Sequence, residues 1–428
     1  DRSERDWPLS PVPVVISQDE WTELESGLKQ RADLLETVLA DLYGDNRLTR
    51  DGHLPAMLVA GNPEWLRPMV GLKPASGRYL HFVAFDIGRG ADGGWWVLGD
   101  RTQAPSGSGY ALENRMASTH SFAGFYRNAN VVRVSAFFKA FRDGLNRLRK
   151  EEDSRVGILT PGPMNDVYFE HAYIARYLGM ALLEGEDLTV IDGQLMVRTI
   201  SGPQPVSVLW RRLDANWVDP MELDETSRLG TPGLLSALRA GTVHMVNALG
   251  SGVLEARAFM AFLPRLSEVL TGKPLAIPNI ATWWCGSEAE REHVLANAGR
   301  LMIGPANSLH MPLEPDRETS LGGEVRPASA GSLADWLSAA GPQLVGQEAV
   351  TLSTTPVWSE GRIVPRPMSI RVFMARTPSG WQVMPGGYAR IAASDADPSA
   401  VSLRRGGSVA DVWVISDKPV VGESILES

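Results

Sequence analysis

The reading of this chain turns on one stretch, Trp95 to Arg115, WWVLGDRTQAPSGSGYALENR. Aromatic and aliphatic residues from Trp95 to Gly99 predict a strand that Asp100 closes. A Pro-Ser-Gly-Ser-Gly loop follows, and Tyr110 to Arg115 reads as another short strand with Glu113 near its end. Two carboxylates at the ends of neighbouring strands would converge. Together with the amide oxygen of Asn114 they would suit a hard cation such as Mg2+, which takes oxygen ligands. The same residues also read as a solvated edge beside an ordinary turn, because acids are common at turns.

Upstream, Tyr79 to Ile87 is a second β-like run, joined to Trp95 by Gly88-Arg-Gly-Ala-Asp-Gly-Gly, a hairpin connection. Trp21, Leu24, Leu28, Leu35, Leu39 and Leu42 recur at helical spacing and stop at Gly44, which predicts an amphipathic helix. Residues 1–150 therefore read as α+β with adjacent antiparallel strands. From Arg155 the texture changes. VGILTPG, Ala181 to Glu184, Leu188 to Ile191 and SVLWRR read as strands, with helices at Tyr168 to Leu178 and Leu234 to Ala240, and a long helix from Leu254 to Leu270. Strands alternating with helices argue a parallel, doubly wound sheet over 151–275. Residues 276–428 hold further short strands at Leu301, Val345, Ser369, Trp381, Tyr388 and Asp411, with an acidic stretch from Glu314 to Ala330 that reads as a mobile loop.

Bulk properties exclude several classes. At 428 residues, the chain is long enough for two or three cores. Its net charge of −9 comes from 50 acids and 41 bases mixed along the sequence, so no basic stripe exists for a nucleic acid backbone. The single cysteine, Cys285, permits no internal disulfide, which points to the cytoplasm. No apolar run is long enough to predict a membrane span. The opening Asp1-Arg-Ser-Glu-Arg-Asp shows no signal-peptide pattern and no methionine, leaving open a longer chain at either end.

Common catalytic signatures fail. Gly88, Gly90 and Gly93 spell GxGxxG, but a strand follows where a dinucleotide site needs a helix N-terminus. Gly272-Lys273 runs into Pro274, so there is no phosphate-binding P-loop, and neither GxSxG nor HExxH occurs. Glu170-His171 reads as a packing pair and Cys285 as a buried residue.

Several separated segments carry a resemblance. SIRVFMA around Arg371, PGGYARIA around Arg390, RRGGSVADVWVIS, IPNIATWWCGSEAEREHVLANAGRLMIGPA and QEAVTLST are similar to successive pieces of an ATP-grasp nucleotide fold. The Trp95 to Arg115 block resembles that fold's last third, yet it stands first. The order resembles that of the circularly permuted type 2 ATP-grasp family, related to glutathionylspermidine synthetase. Arg155 to Leu263 resembles the Rossmann-like domain that precedes the nucleotide fold in ordinary members. The resemblance implies an ATP-dependent carboxylate–amine ligase working through an acyl phosphate, with ATP and Mg2+ as cofactors and small-molecule or peptide carboxylates and amines as substrates. It implies Asp100, Glu113 and Asn114 as metal ligands, Arg371 and Arg390 as catalytic arginines, and Arg300, Gln347 and Glu348 as nucleotide contacts. Arg211, Arg212 and Asp214 would face the carboxylate substrate. Partners of the alpha-E, transglutaminase-like and proteasome-like kinds are implied in the same way.

Two departures stand out. The resemblance expects a phosphate-binding lysine where Gly304 stands in Leu301-Met-Ile-Gly-Pro-Ala. Arg300 lies on the same strand face roughly 13 Å away, a long reach. Asn114 follows Glu113 directly, so on a regular strand the two would point to opposite faces. Three readings stand: an active ligase, a degenerate ATP-grasp protein that binds partners or a ligand without turnover, and a phosphotransferase on the same fold that would yield a phosphorylated product without amide formation.

Overall fold

The computed structural model describes residues 7–90, 92–310, 318–327, 329, 331–393 and 407–420. Most of the acidic stretch before 318 and the Arg404-Arg405 segment lie outside the described residues.

The central feature is an eight-stranded sheet built from both halves of the sequence. Its strands are β1 (Val14–Ser17), β2 (Phe82–Arg89), β3 (Trp95–Arg101), β14 (Thr354–Ser359), β15 (Arg362–Thr377), β16 (Gly380–Val383), β17 (Tyr388–Ile391) and β18 (Ser408–Ile415). The order is β1-β18-β17-β15-β2-β3, with β14 and β16 also paired to β15. The β2–β3 hairpin expected from the glycine-rich link is present. Along β2, Phe82, Ala84 and Asp86 alternate with Val83, Phe85 and Ile87, and all six are buried. A strand buried on both faces reads as a continuous apolar run, which makes the charge at Asp86 conspicuous.

Helix Gln18–Leu42 covers one face. Ser17 caps it, accepting from the Glu20 amide at 3.2 Å, and Trp21, Leu24, Leu28, Leu35, Leu39 and Leu42 bury the predicted stripe. On the other face, Phe82 packs against Phe137 and Phe141 of helix Ser135–Arg147, Phe373 of β15 and Trp210. Trp210 belongs to a second, six-stranded sheet in the order β5-β4-β8-β7-β6, with β9 also on β8. Its strands are β4 (Arg155–Leu159), β5 (Ala181–Leu183), β6 (Leu188–Ile191), β7 (Gln194–Val197), β8 (Gln204–Arg211) and β9 (His244–Val246). Strands β4, β5, β8 and β9 are parallel, as the alternating pattern predicted, while β6 and β7 form an antiparallel extension. A third sheet, antiparallel throughout, orders β10 (Thr282–Trp284), β13 (Leu344–Glu348), β11 (Leu301–Pro305) and β12 (Ser320–Leu321).

Two expectations are corrected. Tyr110 to Arg115 is not a strand but part of helix Ser108–Ser121. The buried residues Ser108, Ala111, Leu112, Arg115 and Ser118 follow a helical period, and Gly107, at φ 111°, turns the chain into it. Leu254 to Leu270 is not one helix. It is two 3-10 turns, Ser251–Glu255 and Arg257–Ala261, followed by helix Leu263–Thr271, interrupted by Ala256 in extended conformation.

Candidate functional site

Asp86 on β2 lies in register with Arg371 of β15 on one side and Gly99 of β3 on the other. Strand alternation places Arg371 and Arg101 on the same sheet face as Asp86. Arg371 grips Asp86 bidentately, with Nε 2.7 Å from Oδ1 and Nη2 2.8 Å from Oδ2. Arg101 Nε donates to Oδ2 at 3.0 Å, and Arg390 Nη2 lies 3.9 Å from Oδ1. Burial raises the Asp86 pKa, but Arg371, Arg390 and Arg101 outweigh it and hold the carboxyl well below its ordinary range. Arg101 reaches on to Glu255 at 3.8 Å. Burial pushes Glu255 up, opposed by Arg101.

The link after β3 is clamped at both polarities of its backbone. Glu255 Oε1 accepts from the amides of Thr102 and Gln103 at 2.7 and 2.6 Å. Glu170 accepts from the amides of Gly107 and Gly109 at 2.8 and 3.1 Å. The carbonyls of Gln103, Pro105 and Ser106 accept from Arg211 Nη2, Arg212 Nη1 and Arg371 Nη1 at 3.1, 2.8 and 3.1 Å. A glycine at 107 is required here twice over: its φ is positive, and a Cβ would come within 2.3 Å of the Tyr388 ring.

Not all of the residues implied for the site come together. Arg371 and Arg390 share Asp86. The three implied metal ligands point elsewhere. Asp100 is buried on the opposite sheet face and accepts from Arg31 Nε and Nη2 at 2.6 and 2.8 Å. Glu113 is exposed on its helix and faces Tyr173. Asn114 is buried, with Oδ1 accepting from Trp7 Nε1 at 2.8 Å. Asp86 itself is ringed by guanidinium groups. These residues do not fit a Mg2+ ion, because each acid that could hold it is already paired or set apart. Arg211 and Arg212 are fully or nearly buried in clamping the link, while Asp214 is exposed. Burial lowers the Arg211 pKa to about 10.

On the nucleotide side, Gln347 is buried on β13 and donates to Thr282 Oγ1 at 3.1 Å, while its Oε1 has no partner. Such an orphaned acceptor suits a donor on a ligand. Glu348 and Arg300 are exposed. Gly304 has no room for a lysine: a Cβ would lie 2.3 Å from Thr319 Oγ1. Thr319 in turn accepts from Arg257 Nη1 at 2.8 Å, which brings a guanidinium to this strand end.

Sequence reasoning missed Asp86, Arg101, Glu255 and Glu170. A lone acid within FVAFDIG was the available signal for Asp86. Glu255 gave none, since its partners are backbone amides distant in sequence, and Glu170 stands out only as a packing pair with His171, without the amides it holds.

Comparisons with known proteins agree with this architecture. A model of the circularly permuted ATP-grasp type 2 family matches residues 13–392. The chain belongs to that family. An uncharacterized protein of Mycobacterium tuberculosis is 36% identical over 95% of this chain, which spans 45% of that protein's length. An uncharacterized protein of Synechocystis is 31% identical over 96% of this chain and 85% of its own length. A glutathione synthetase-like effector from Globodera pallida shares the fold at a TM-score of 0.58 and 10% identity, covering 98% of this chain and 92% of its own. No helix among the described residues is long and apolar enough to cross a membrane.

Proposed function

We propose that this chain is a degenerate ATP-grasp protein that binds an anionic ligand of the nucleotide or carboxylate class without metal-dependent turnover. The observation that carries this reading is the pairing of Arg101 with Asp86. The resemblance expects an aspartate on one strand and an acid followed by an amide on the next. The adjacent strands here are β2 and β3, and opposite Asp86 stand Gly99, without a side chain, and Arg101, whose guanidinium donates to the carboxylate. A cation built into the protein thus stands in for a bound one. Space is not the obstacle. A Cβ at position 99 would lie 3.6 Å from Arg101 Nη2 and 3.7 Å from Asp86 Oδ2, an ordinary contact.

The ligase reading, in which a carboxylate attacks the γ-phosphate of ATP and an amine opens the acyl phosphate, is favoured by one observation. Arg371 and Arg390 converge on a single carboxylate, as groups that stabilise a transferring phosphoryl would. Titration calorimetry with ATP, with and without Mg2+, separates the two, together with an assay of ADP release in the presence of amino acids, polyamines and short peptides. The expected result is binding that Mg2+ leaves unchanged within about threefold and no stimulated ADP release. Gly99→Glu combined with Arg101→Asn is expected to make ATP binding Mg2+-dependent. ADP release matched by amide product from the native chain would overturn the degenerate reading.

A further inference from the structure

Strands β2 and β15 carry a second group of cations at the end away from Asp86. His81 lies five residues before Asp86, and Arg376 five residues after Arg371, so the two groups are roughly 17 Å apart along the strands. A pocket of about 310 Å³ opens there, lined by Ser76, Arg78, His81, Arg147, Arg376 and Thr377 among others. Its three arginines come from three separate elements: the segment leading into β2, the last turn of helix Ser135–Arg147, and the end of β15.

The local charge is only partly balanced by the protein. Arg376 stacks on the Trp381 ring at 4.2 Å and lies 3.4 Å from Asp33, the one acid facing this group within ion-pair distance among the described residues. Glu36 also offsets the Arg376 charge, while its own oxygens accept from the backbone amides of Tyr79 and Leu80 at 2.9 and 2.8 Å. Arg78 and Arg147 are exposed, and neither guanidinium has an ion pair or side-chain hydrogen bond among the described residues. Arg147 has an alternative role as a cation in the last turn of its helix, where it complements the helix dipole. That role explains neither Arg78 nor the pocket between them. On the pocket floor, the Ser76 hydroxyl donates to the Arg78 carbonyl at 3.0 Å and accepts from His81 Nε2 at 3.0 Å. Burial, reinforced by Arg376, pushes the His81 pKa down to about 4, consistent with a positive local potential.

We propose that this pocket is a binding site for a phosphate-bearing small molecule, with Arg78, Arg147 and Arg376 holding the phosphate. Guanidinium forks match phosphate oxygens bidentately, as Arg78 and Arg147 can offer, whereas Arg376, with Nε on the Leu80 carbonyl at 3.1 Å and Nη2 3.4 Å from Asp33, contributes through Nη1. A volume near 300 Å³ is at the lower end of small-ligand sites. Leu145, Leu148 and Pro378 on the same wall give the organic part of a phosphate ester an apolar contact. The site is separate from the arginine cluster around Asp86 and does not depend on the reading of that cluster.

Titration calorimetry at constant ionic strength, with inorganic phosphate and glycerol 3-phosphate as probes, tests this. The intact chain is expected to bind at least one probe saturably. Arg78→Gln with Arg147→Gln should weaken that binding at least tenfold, while Arg47→Gln, an exposed arginine paired with Asp45 outside the pocket, leaves it unchanged. Because Arg78 and Arg147 are exposed, folding of the double variant is checked directly by near-UV circular dichroism. Arg78→Lys with Arg147→Lys, which keeps the charge and loses the fork, should fall between the two. The proposal is overturned if neither probe binds saturably or if the double variant binds like the native chain. Equal loss of binding in Arg47→Gln would also overturn it, as would a lower melting temperature in Arg147→Gln with no change in phosphate affinity.

Discussion

Asp86 and Asp100 show how the same residue type acquires opposite uses. Both are buried and both accept a bidentate arginine, but Asp86 has three guanidinium groups around it on one sheet face, whereas Asp100 faces helix Gln18–Leu42 on the other and ties it to the sheet. Removing one member of a buried pair leaves a charge without compensation, which costs about 3–5 kcal/mol. Asp100→Asn is accordingly expected to lower stability by about that amount in denaturant titration while leaving nucleotide affinity unmoved. A lost affinity with unchanged stability would return Asp100 to the binding site. Glu64 offers a pH-dependent counterpart. Burial first, then the neighbouring Asp214 and Glu255, push it up to about 7, and its Oε2 has no partner. A carboxyl whose folded pKa is raised contributes stability below its unfolded pKa and loses it as pH rises through the folded value. Glu64→Gln should therefore raise the melting temperature at about pH 8, by an effect on the order of 2 kcal/mol, and make little difference near pH 4.

Among the elements, the link from β3 to helix Ser108–Ser121 is the one most completely determined by partners outside itself. Its amides go to Glu255 and Glu170 and its carbonyls to Arg211, Arg212 and Arg371, so a segment rich in glycine and serine is held in one conformation. Glu170→Gln keeps the shape but can offer only one acceptor oxygen to the Gly107 and Gly109 amides, and it removes the charge facing Arg212 at 3.9 Å. Hydrogen exchange of those two amides is expected to accelerate roughly tenfold, with exchange in β2 unchanged. Equal protection in the variant would mean that the link is held by its own turn geometry.

At the scale of the molecule, β15 lies between β2 and β17, and β1 pairs in parallel with β18, so the sheet closes only when both halves of the chain are in place. Phe82 extends this dependence to the second sheet through Trp210 at 5.1 Å. Unfolding followed in the near and far ultraviolet should therefore give coincident transitions. Phe82→Ala should lower stability by about 3–5 kcal/mol as seen by both probes. Separate midpoints in the native chain would show instead that the two sheets fold independently.

The sequence by itself determined the elements whose signal is local. The stripe of helix Gln18–Leu42, the glycine-rich β2–β3 hairpin and the alternation that builds the parallel strands are short-range patterns, and together with the displaced order of the ATP-grasp segments they identified the fold. Only the tertiary structure decided the site. Whether Asp100 holds a metal or an arginine depends on Arg31, 69 residues away, and Asp86 becomes the centre of an arginine cluster only when Arg371, 285 residues away, is brought beside it. Tyr110 to Arg115 shows the same limit at closer range, since alternation on paper gave way to a helix once Glu170 held the amides at its start. Charge pairing acts through space, and no periodicity in the chain records which partner folding will place within a few ångströms.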